Sequence, residues 1–217
     1  MKYSLKAAGI IEAMVVLLLL TVWVTWVYTI LVSWQRLSQS TSFRIEAIQI
    51  ARDGLEVMTN IRDTNWIEFW GDVTNCWNTW NYNSDCIWDT DPANKIRHHP
   101  ANQSLIAFRD DSTWKFQLSL ENRLTGSFLE EDYRDNFWVY YDDNWFYTQS
   151  WTTLLSRIYT REIRVNYLDE NFEPQGSDLP NNPAVEVTVI VQWSDPAIAT
   201  PRTLEMSTVL TNWKDRN

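Results

Sequence analysis

One long uncharged segment constrains this chain more than any other feature of its sequence. The 23 residues from Ala13 to Gln35 include no Asp, Glu, Lys, Arg or His. As an α-helix the segment would extend about 34 Å, which exceeds the roughly 30 Å hydrocarbon core of a bilayer. No glycine or proline lies between Ile10 and Asp53 to interrupt such a helix. The sequence therefore predicts one membrane-spanning helix near the N-terminus.

Residues at the two ends of this segment indicate its orientation. Lys2 and Lys6 precede it, Arg36 is the first charge after it, and Trp34 lies where an interfacial aromatic is expected. Because basic residues are retained in the cytoplasm, the pattern favours a cytoplasmic N-terminus and an exported remainder. A cleaved secretory signal fits poorly, since the apolar region is too long and no small-x-small cleavage site follows it. An uncleaved signal anchor remains a second interpretation.

Glu12 is the one carboxylate that precedes the uncharged segment. An ionisable side chain at the mouth of an apolar helix is costly in hydrocarbon, so it is a candidate functional residue. The alternative is that Glu12 extends its carboxylate to the membrane interface and has no further role.

The helical pattern continues beyond the membrane segment with a different character. From Phe43 to Ile61 the apolar residues fall on about half of a helical wheel, which is typical of a helix that faces a protein core. The sequence thus predicts one helix from about Ala8 to Ile61 with a membrane half and an amphipathic half. The residues of the apolar stripe are Phe43, Ala47, Ile48, Ile50, Ala51, Leu55, Val57, Met58 and Ile61.

Two cysteines and many tryptophans characterise the exported part. Cys76 and Cys86 are ten positions apart, and in an exported domain such a pair predicts a disulfide. A metal site is the competing interpretation, but no CxxC motif or nearby histidine supports it. Closing a loop of about eleven residues would contribute roughly 2.7 kcal/mol in the chain-entropy description.

Five of the fourteen tryptophans lie among polar residues around the cysteines. Exposed aromatic rings supply much of the energy at binding sites, so these five could form an adhesive surface, for example one that stacks on sugar rings. Alternatively, the rings pack over the disulfide and under the edge of a sheet. The five residues are Trp66, Trp70, Trp77, Trp80 and Trp88.

The C-terminal half has the period of two that is typical of strands, whereas residues 63–103 are rich in turn residues and are predicted to be irregular. Packing an antiparallel sheet on the apolar stripe of the helix would bury both elements, which predicts an α+β fold. The predicted strands are Leu105–Phe108, Trp114–Leu120, Phe137–Tyr141, Trp145–Gln149, Ile158–Tyr167, Ala184–Trp193 and Thr203–Trp213, with a hairpin loop at Asp142–Asn144.

No motif for catalysis, a metal or a cofactor stands out. The two histidines, His98 and His99, are adjacent and precede a proline, and no GxSxG, HExxH or phosphate-binding glycine motif occurs. The acidic pairs lack EF-hand spacing and are interpreted as solvated turns. A net charge of −10 argues against binding nucleic acid or anionic lipid. We therefore expect no enzyme activity, no cofactor and no bound metal.

Lys6-Ala7-Ala8-Gly9-Ile10-Ile11-Glu12 and the helix that follows resemble the N-terminus of type IV prepilins. The strands after residue 158 resemble the sheet of minor pilins and pseudopilins. The resemblance implies that a prepilin peptidase cuts between Ala7 and Ala8 and methylates the new amine. It also implies that Glu12, the fifth mature residue, meets the amine of Ala8 on a neighbouring subunit or on its own chain, which sets the axial register. The family usually has Gly at the position of Ala7 and often Phe at that of Ala8.

The resemblance also implies a pilin-like organisation: leader 1–7, membrane half 8–35, amphipathic half 36–62, a tryptophan-rich region with a disulfide 63–103, and a β-sheet domain 104–217. Loss of the leader would move the formal charge from −10 to −12, because the leader carries Lys2 and Lys6 and no acid. The implied function is that of a minor pilin in a type IV pilus.

The partners implied by this resemblance are other pilin subunits, the prepilin peptidase and an inner-membrane assembly platform, but no nucleic acid. The chain would begin in the cytoplasmic membrane with its N-terminus inside and end in the pilus at the cell surface. Two alternatives remain: a pseudopilin of a type II secretion or DNA-uptake system, and an uncleaved membrane-anchored domain that binds a sugar or a protein.

Overall fold

The structure is a computed structural model, and the chain in it forms two units, Met1–Arg44 and Ile45–Asn217. Predictions for Trp88, His98, His99 and the loop Asp142–Asn144 lie outside the described residues. The residues that the structure describes are 4–87, 103–110, 112–121, 128–141, 147–149, 159–169, 171–175, 184–195 and 200–212.

The first unit is the N-terminal part of a single long helix, α1 (Ser4–Glu68). Its side chains are exposed almost throughout from Gly9 onward. An 18-residue window has a mean hydropathy of 2.4 and none of it is buried by protein. Within the described residues, α1 is the one helix that is long and apolar enough to cross a membrane. The predicted membrane segment is confirmed to this extent.

The later part of α1 belongs to the second unit and buries the predicted apolar stripe. Six residues of the stripe are at most 3% exposed, which confirms the amphipathic half. The helix approaches the sheet closely at Gly54, where an added Cβ would lie 3.1 Å from Val189 Cγ1 and 3.3 Å from Arg161 Cδ. The six buried stripe residues are Ala47, Ile50, Ala51, Val57, Met58 and Ile61.

Helix α1 continues seven residues beyond the predicted end at Ile61 and stops at Glu68. The extra turns are stabilised by burial of Asn65 and Trp66, since Asn65 Nδ2 donates to the carbonyl oxygens of Trp77 and Thr79, both at 3.2 Å. The region after the helix also contains α2 (Val73–Cys76) and two short 3₁₀ segments, Trp80–Tyr82 and Ser84–Cys86. The prediction that residues 63–103 are irregular was therefore wrong for its first half.

The sheet is antiparallel in all its pairings and has the strand order β2-β1-β5-β7-β8, with β6 beside β5. Strands β3 and β4 form a separate two-stranded ribbon. This arrangement confirms an α+β fold in which a helix packs on an antiparallel sheet. The strands are β1 (Ser104–Arg109), β2 (Phe116–Glu121), β3 (Tyr140–Tyr141), β4 (Tyr147–Thr148), β5 (Tyr159–Leu168), β6 (Pro174–Gln175), β7 (Ala184–Trp193) and β8 (Arg202–Thr211).

Two predicted strands are partly wrong. The strand predicted at Trp114–Leu120 begins only at Phe116, because Trp114 has a positive φ and lies in the turn before β2. The strand predicted at Phe137–Tyr141 is shorter than expected. Phe137 ends a short helix, α3 (Glu131–Phe137), and β3 contains only Tyr140 and Tyr141. Tyr133 and Phe137 are four residues apart on one face of α3, are both buried and have ring centroids 4.8 Å apart. The helical spacing of Tyr133 and Phe137 was thus present in the sequence, but the alternating pattern from Phe137 to Tyr141 favoured a strand.

The close approach at Gly54 predicts a position that tolerates no side chain. We expect Gly54→Leu to destabilise the second unit by about 3 kcal/mol or more, because the new atoms overlap Val189 and Arg161. Thermal unfolding of the full chain in detergent, followed by near-ultraviolet circular dichroism, measures this effect. The matched control is Gly71→Leu, since a Cβ at Gly71 meets nothing within 4 Å; an equal loss in both variants would contradict the packing argument.

Candidate functional site

Four hydroxyl groups in the apolar half of α1 are hydrogen-bonded within the helix itself. Four side chains donate to backbone carbonyl oxygens three or four residues earlier at 2.8 to 2.9 Å. Hydrogen bonds of this kind let hydroxyl residues enter hydrocarbon without leaving an unpaired polar group. The four residues are Thr21, Thr25, Thr29 and Ser33.

Glu12 differs from these hydroxyl residues in its chemistry. It lies in α1 and is exposed. An ionised carboxylate only accepts hydrogen bonds, and the amide N–H groups in the interior of a helix already donate to backbone carbonyls. A partner for Glu12 in an apolar environment must therefore come from a terminus or from another chain. Ala7 and Ala8 lie in the first turns of the same helix.

The predicted disulfide between Cys76 and Cys86 is confirmed. Their Cα atoms are 5.2 Å apart, and both residues are buried. Phe69 and Tyr82 pack against the bridge. The bond therefore joins α2 to the second 3₁₀ segment and closes a small apolar cluster beside the end of α1.

The five tryptophans do not form one exposed surface. Trp66 and Trp77 are buried and Trp80 is half-buried, whereas Trp70 is 80% exposed. An adhesive role is thus wrong for Trp66 and Trp77, whose rings belong to the core. The burial of these two rings agrees with the alternative interpretation, in which they pack over the disulfide and under the edge of a sheet.

The segment closed by the disulfide covers the outer edge of β2. The Asn81 side chain donates to the Leu118 carbonyl and accepts from the Leu118 amide, both at 2.8 Å. The Tyr82 hydroxyl donates to the Phe116 carbonyl at 2.9 Å. Asn81 and Tyr82 both have positive φ, 44° and 60°, so the backbone adopts the rarely populated left-handed region to bring both side chains to the strand edge.

A buried arginine lies between α1 and the sheet. The Arg161 side chain is 1% exposed and its Nη1 donates to Asp53 Oδ2 on α1 at 2.5 Å, while Asp53 is 28% exposed. Arg161 Nη2 donates to the Ala107 carbonyl at 3.3 Å. A buried guanidinium needs such partners, because its desolvation costs several kcal/mol.

Gln149 completes this arrangement by filling a gap in the sheet. Strands β1 and β5 pair only at Ser104 and Leu105 and then separate. Gln149 Oε1 accepts from the Ala107 amide at 3.0 Å and from Arg161 Nε at 3.2 Å, and Nε2 donates to the Arg161 carbonyl at 2.6 Å. One side chain thus replaces the hydrogen bonds that the separated strands cannot make.

Two more carboxylates are held by tyrosines. Glu46 on α1 accepts from the Tyr141 hydroxyl at 2.6 Å and from the Tyr159 hydroxyl at 2.9 Å. Burial and then the Glu46 carboxylate raise the pKa of Tyr141 and of Tyr159 above their usual range. Both hydroxyls therefore stay protonated as donors at every physiological pH.

The second carboxylate, Glu162, is buried. It accepts from Ser104 Oγ, from the Tyr133 hydroxyl at 3.1 Å and from Arg164 Nε at 2.7 Å. Burial and then the charge of Glu162 raise the pKa of Tyr133. These groups satisfy one another, and such complete pairing fits a structural role better than a catalytic one.

Sequence reasoning missed this polar network, although a signal for it was present. Arg161 alternates with Tyr159 and Ile163 on the face of β5 that is buried, and a charge on an apolar face requires a partner. Glu46 and Asp53 lie outside the predicted apolar stripe of α1, so helical periodicity did not predict their contacts with the sheet. Within the described residues, no group of three or more His, Cys, Asp or Glu could hold a metal ion.

No protein-family model, curated protein or solved structure matches this chain.

The Arg161–Asp53 pair generates a prediction on stability. We expect Asp53→Asn to lower the free energy of unfolding by about 3 kcal/mol, because it leaves the buried guanidinium without its counter-charge. Denaturant unfolding of the full chain in detergent, followed by tryptophan fluorescence, measures the change. The control is Arg52→Gln on the same helix, an exposed site, where we expect a change within about 0.5 kcal/mol; similar losses in both variants would contradict the role of the pair.

The tyrosines generate a prediction on alkaline pH. Burial and the charge of Glu68 raise the pKa of Tyr82 to about 12, and the pKa values of Tyr133, Tyr141 and Tyr159 are also raised. A raised pKa contributes stability that is complete below the unfolded value of about 10 and is lost as pH rises through the folded value. We therefore expect the free energy of unfolding to begin to fall near pH 10.

Tyrosinate absorbance of the native chain, titrated beside the unfolding free energy, checks this expectation. Replacing Tyr141 and Tyr159 together by Phe removes two titrating groups and should make the alkaline decline shallower. A decline of unchanged slope in this double variant would show that other groups cause it.

Proposed function

We propose that this chain is a minor pilin, a subunit that prepilin peptidase processes and that assembles through its apolar helix into a type IV pilus. The observation that carries the proposal is the division of α1 into two parts. One part is apolar and is covered by none of the described residues, and the other buries its apolar stripe within the second unit.

An uncovered apolar helix needs a surrounding medium, which is lipid before assembly. In a filament, the helices of neighbouring subunits would take the place of lipid. The internal hydrogen bonds of the four span hydroxyls suit both environments, because none of these groups requires water.

Glu12 supplies the specificity that an apolar surface lacks. A carboxylate among packed helices is expensive unless it is paired. The amine of Ala8 on a neighbouring subunit, freed by cleavage after Ala7, would neutralise it at one axial position only. The proposal thus gives Glu12 the role of setting the register between subunits.

The remainder of the chain is consistent with export. The Cys76–Cys86 disulfide is typical of oxidising compartments outside the cytoplasm. The two lysines before the span favour a cytoplasmic N-terminus, so the second unit would lie outside the cytoplasmic membrane. Neighbouring pilins, the prepilin peptidase and the inner-membrane assembly platform are the partners that the proposal requires.

The test is the mass of the N-terminal peptide after expression with and without a prepilin peptidase. We expect the chain to begin at Ala8 and to carry one extra methyl group only when the peptidase is present. Ala7→Leu should block cleavage, because the peptidase requires a small residue there. A chain that keeps Lys6 in the presence of an active peptidase would overturn the proposal and favour an uncleaved anchor.

A second readout tests Glu12 separately from cleavage. We expect Glu12→Gln to retain cleavage after Ala7 but to lose cross-links between the helices of adjacent subunits in membranes. The matched control is Thr25→Ala, since the Thr25 hydroxyl bonds within its own helix and should not affect the cross-links. Wild-type cross-linking of Glu12→Gln would remove the register role.

A further inference from the structure

An exposed tryptophan is held in a disfavoured backbone conformation at the tip of the β1–β2 hairpin. Trp114 has φ 59° and its side chain is 68% exposed. This left-handed conformation is an outlier for a bulky residue, whereas glycine and asparagine adopt it readily. The turn would therefore form more easily without Trp114, and the ring contributes little buried area in return.

The turn has its own means of holding its shape. Asp110 Oδ1 accepts from the Ser112 amide at 2.8 Å and from its hydroxyl at 2.7 Å, and Oδ2 accepts from Thr113 Oγ1 at 3.0 Å. The Trp114 amide donates to the Asp110 carbonyl at 2.8 Å. None of these bonds uses the Trp114 side chain, so the ring is free to serve another purpose.

Charged neighbours orient the ring and connect the turn to α1. The Arg109 guanidinium lies 4.8 Å from the ring centroid of Trp114, an attractive cation–π distance. Lys115 Nζ forms an ion pair with Glu68 Oε2 at 2.5 Å, and Glu68 is the last residue of α1. The hairpin tip is thus attached to the C-terminal end of the helix.

Trp114 directly precedes Lys115, so the exposed ring, the guanidinium over it and the ion pair all belong to the hairpin tip. We call Trp114 and the charged residues Arg109, Lys115 and Glu68 the hairpin corner.

We propose that the hairpin corner binds a neutral carbohydrate by stacking a sugar ring on Trp114. The C–H bonds on one face of a pyranose carry partial positive charge, which matches the negative face of an indole. The charged side chains beside the ring offer donors and acceptors for sugar hydroxyls. Arg109 already occupies a position over the ring, so a ligand meets an oriented platform.

The charges of the hairpin corner distinguish a sugar from other ligands. Charged residues are depleted at the centres of protein–protein interfaces, yet three of them lie within this small surface. A chain of net charge −10 repels polyanions such as nucleic acids and acidic polysaccharides. A neutral polyhydroxyl ligand satisfies both conditions. This inference does not depend on the pilin proposal, because a membrane-anchored domain could bind sugar in the same way.

The test uses the full chain in micelles of a detergent without a sugar headgroup. Isothermal titration measures binding of three neutral hexamers, of β-1,4-glucose, β-1,4-N-acetylglucosamine and α-mannose, and of an acidic galacturonate hexamer. We expect saturable binding of at least one neutral hexamer with a Kd on the order of 10 µM to 1 mM. Absence of binding by all three neutral hexamers, or tighter binding of the acidic one, would overturn the proposal.

Trp114→Gly is the decisive variant, because glycine accepts the backbone conformation. We expect it to weaken binding at least tenfold while the unfolding midpoint stays the same or rises.

The matched control is Phe172→Gly. Phe172 is also exposed, by 51%, and has φ 62°, but it lies in the turn between β5 and β6. We expect the same effect on folding and no effect on binding. Wild-type affinity of Trp114→Gly, or an equal loss in Phe172→Gly, would show that the hairpin corner is not the site.

Discussion

The buried guanidinium of Arg161 needs partners from three directions, and the interior of the second unit is arranged around that need. Asp53 on α1 supplies the counter-charge, and Gln149 and the Ala107 carbonyl each accept one further N–H group. The helix can come this close to the sheet because Gly54 has no side chain. The early separation of β1 from β5 is compensated by the same glutamine. Charge, helix position and sheet shape therefore depend on one another.

Helix α1 carries two different surfaces on one continuous backbone. Its later part is an element of an ordinary protein core, whereas its earlier part pairs four of its hydroxyls internally and exposes its apolar residues. Glu12 lies in the earlier part, and the bonded amides of its own helix cannot satisfy its carboxylate. The proposed pilin function rests on this contrast, since assembly would cover the apolar surface and pair the carboxylate at once.

The tryptophan-rich segment has a buried part and an exposed part. Its buried members and the Cys76–Cys86 bridge form a compact unit, from which Asn81 and Tyr82 reach the edge of β2 and satisfy its backbone. An edge protected in this way cannot pair with another strand. Trp70 is exposed instead, and the Lys115–Glu68 ion pair joins the hairpin tip to the end of α1.

Local chemistry and periodicity were enough to predict the apolar span, the core-facing stripe of α1, strand β7 with its bounds Ala184–Trp193, and the Cys76–Cys86 bridge. The burial of individual tryptophans, the end of α1 and the partners of Arg161 could not be predicted in this way, because they depend on contacts between distant segments. Periodicity reports which side of an element is apolar, but Asp53 and Arg161 are 108 residues apart, and their pairing follows from how helix and sheet pack.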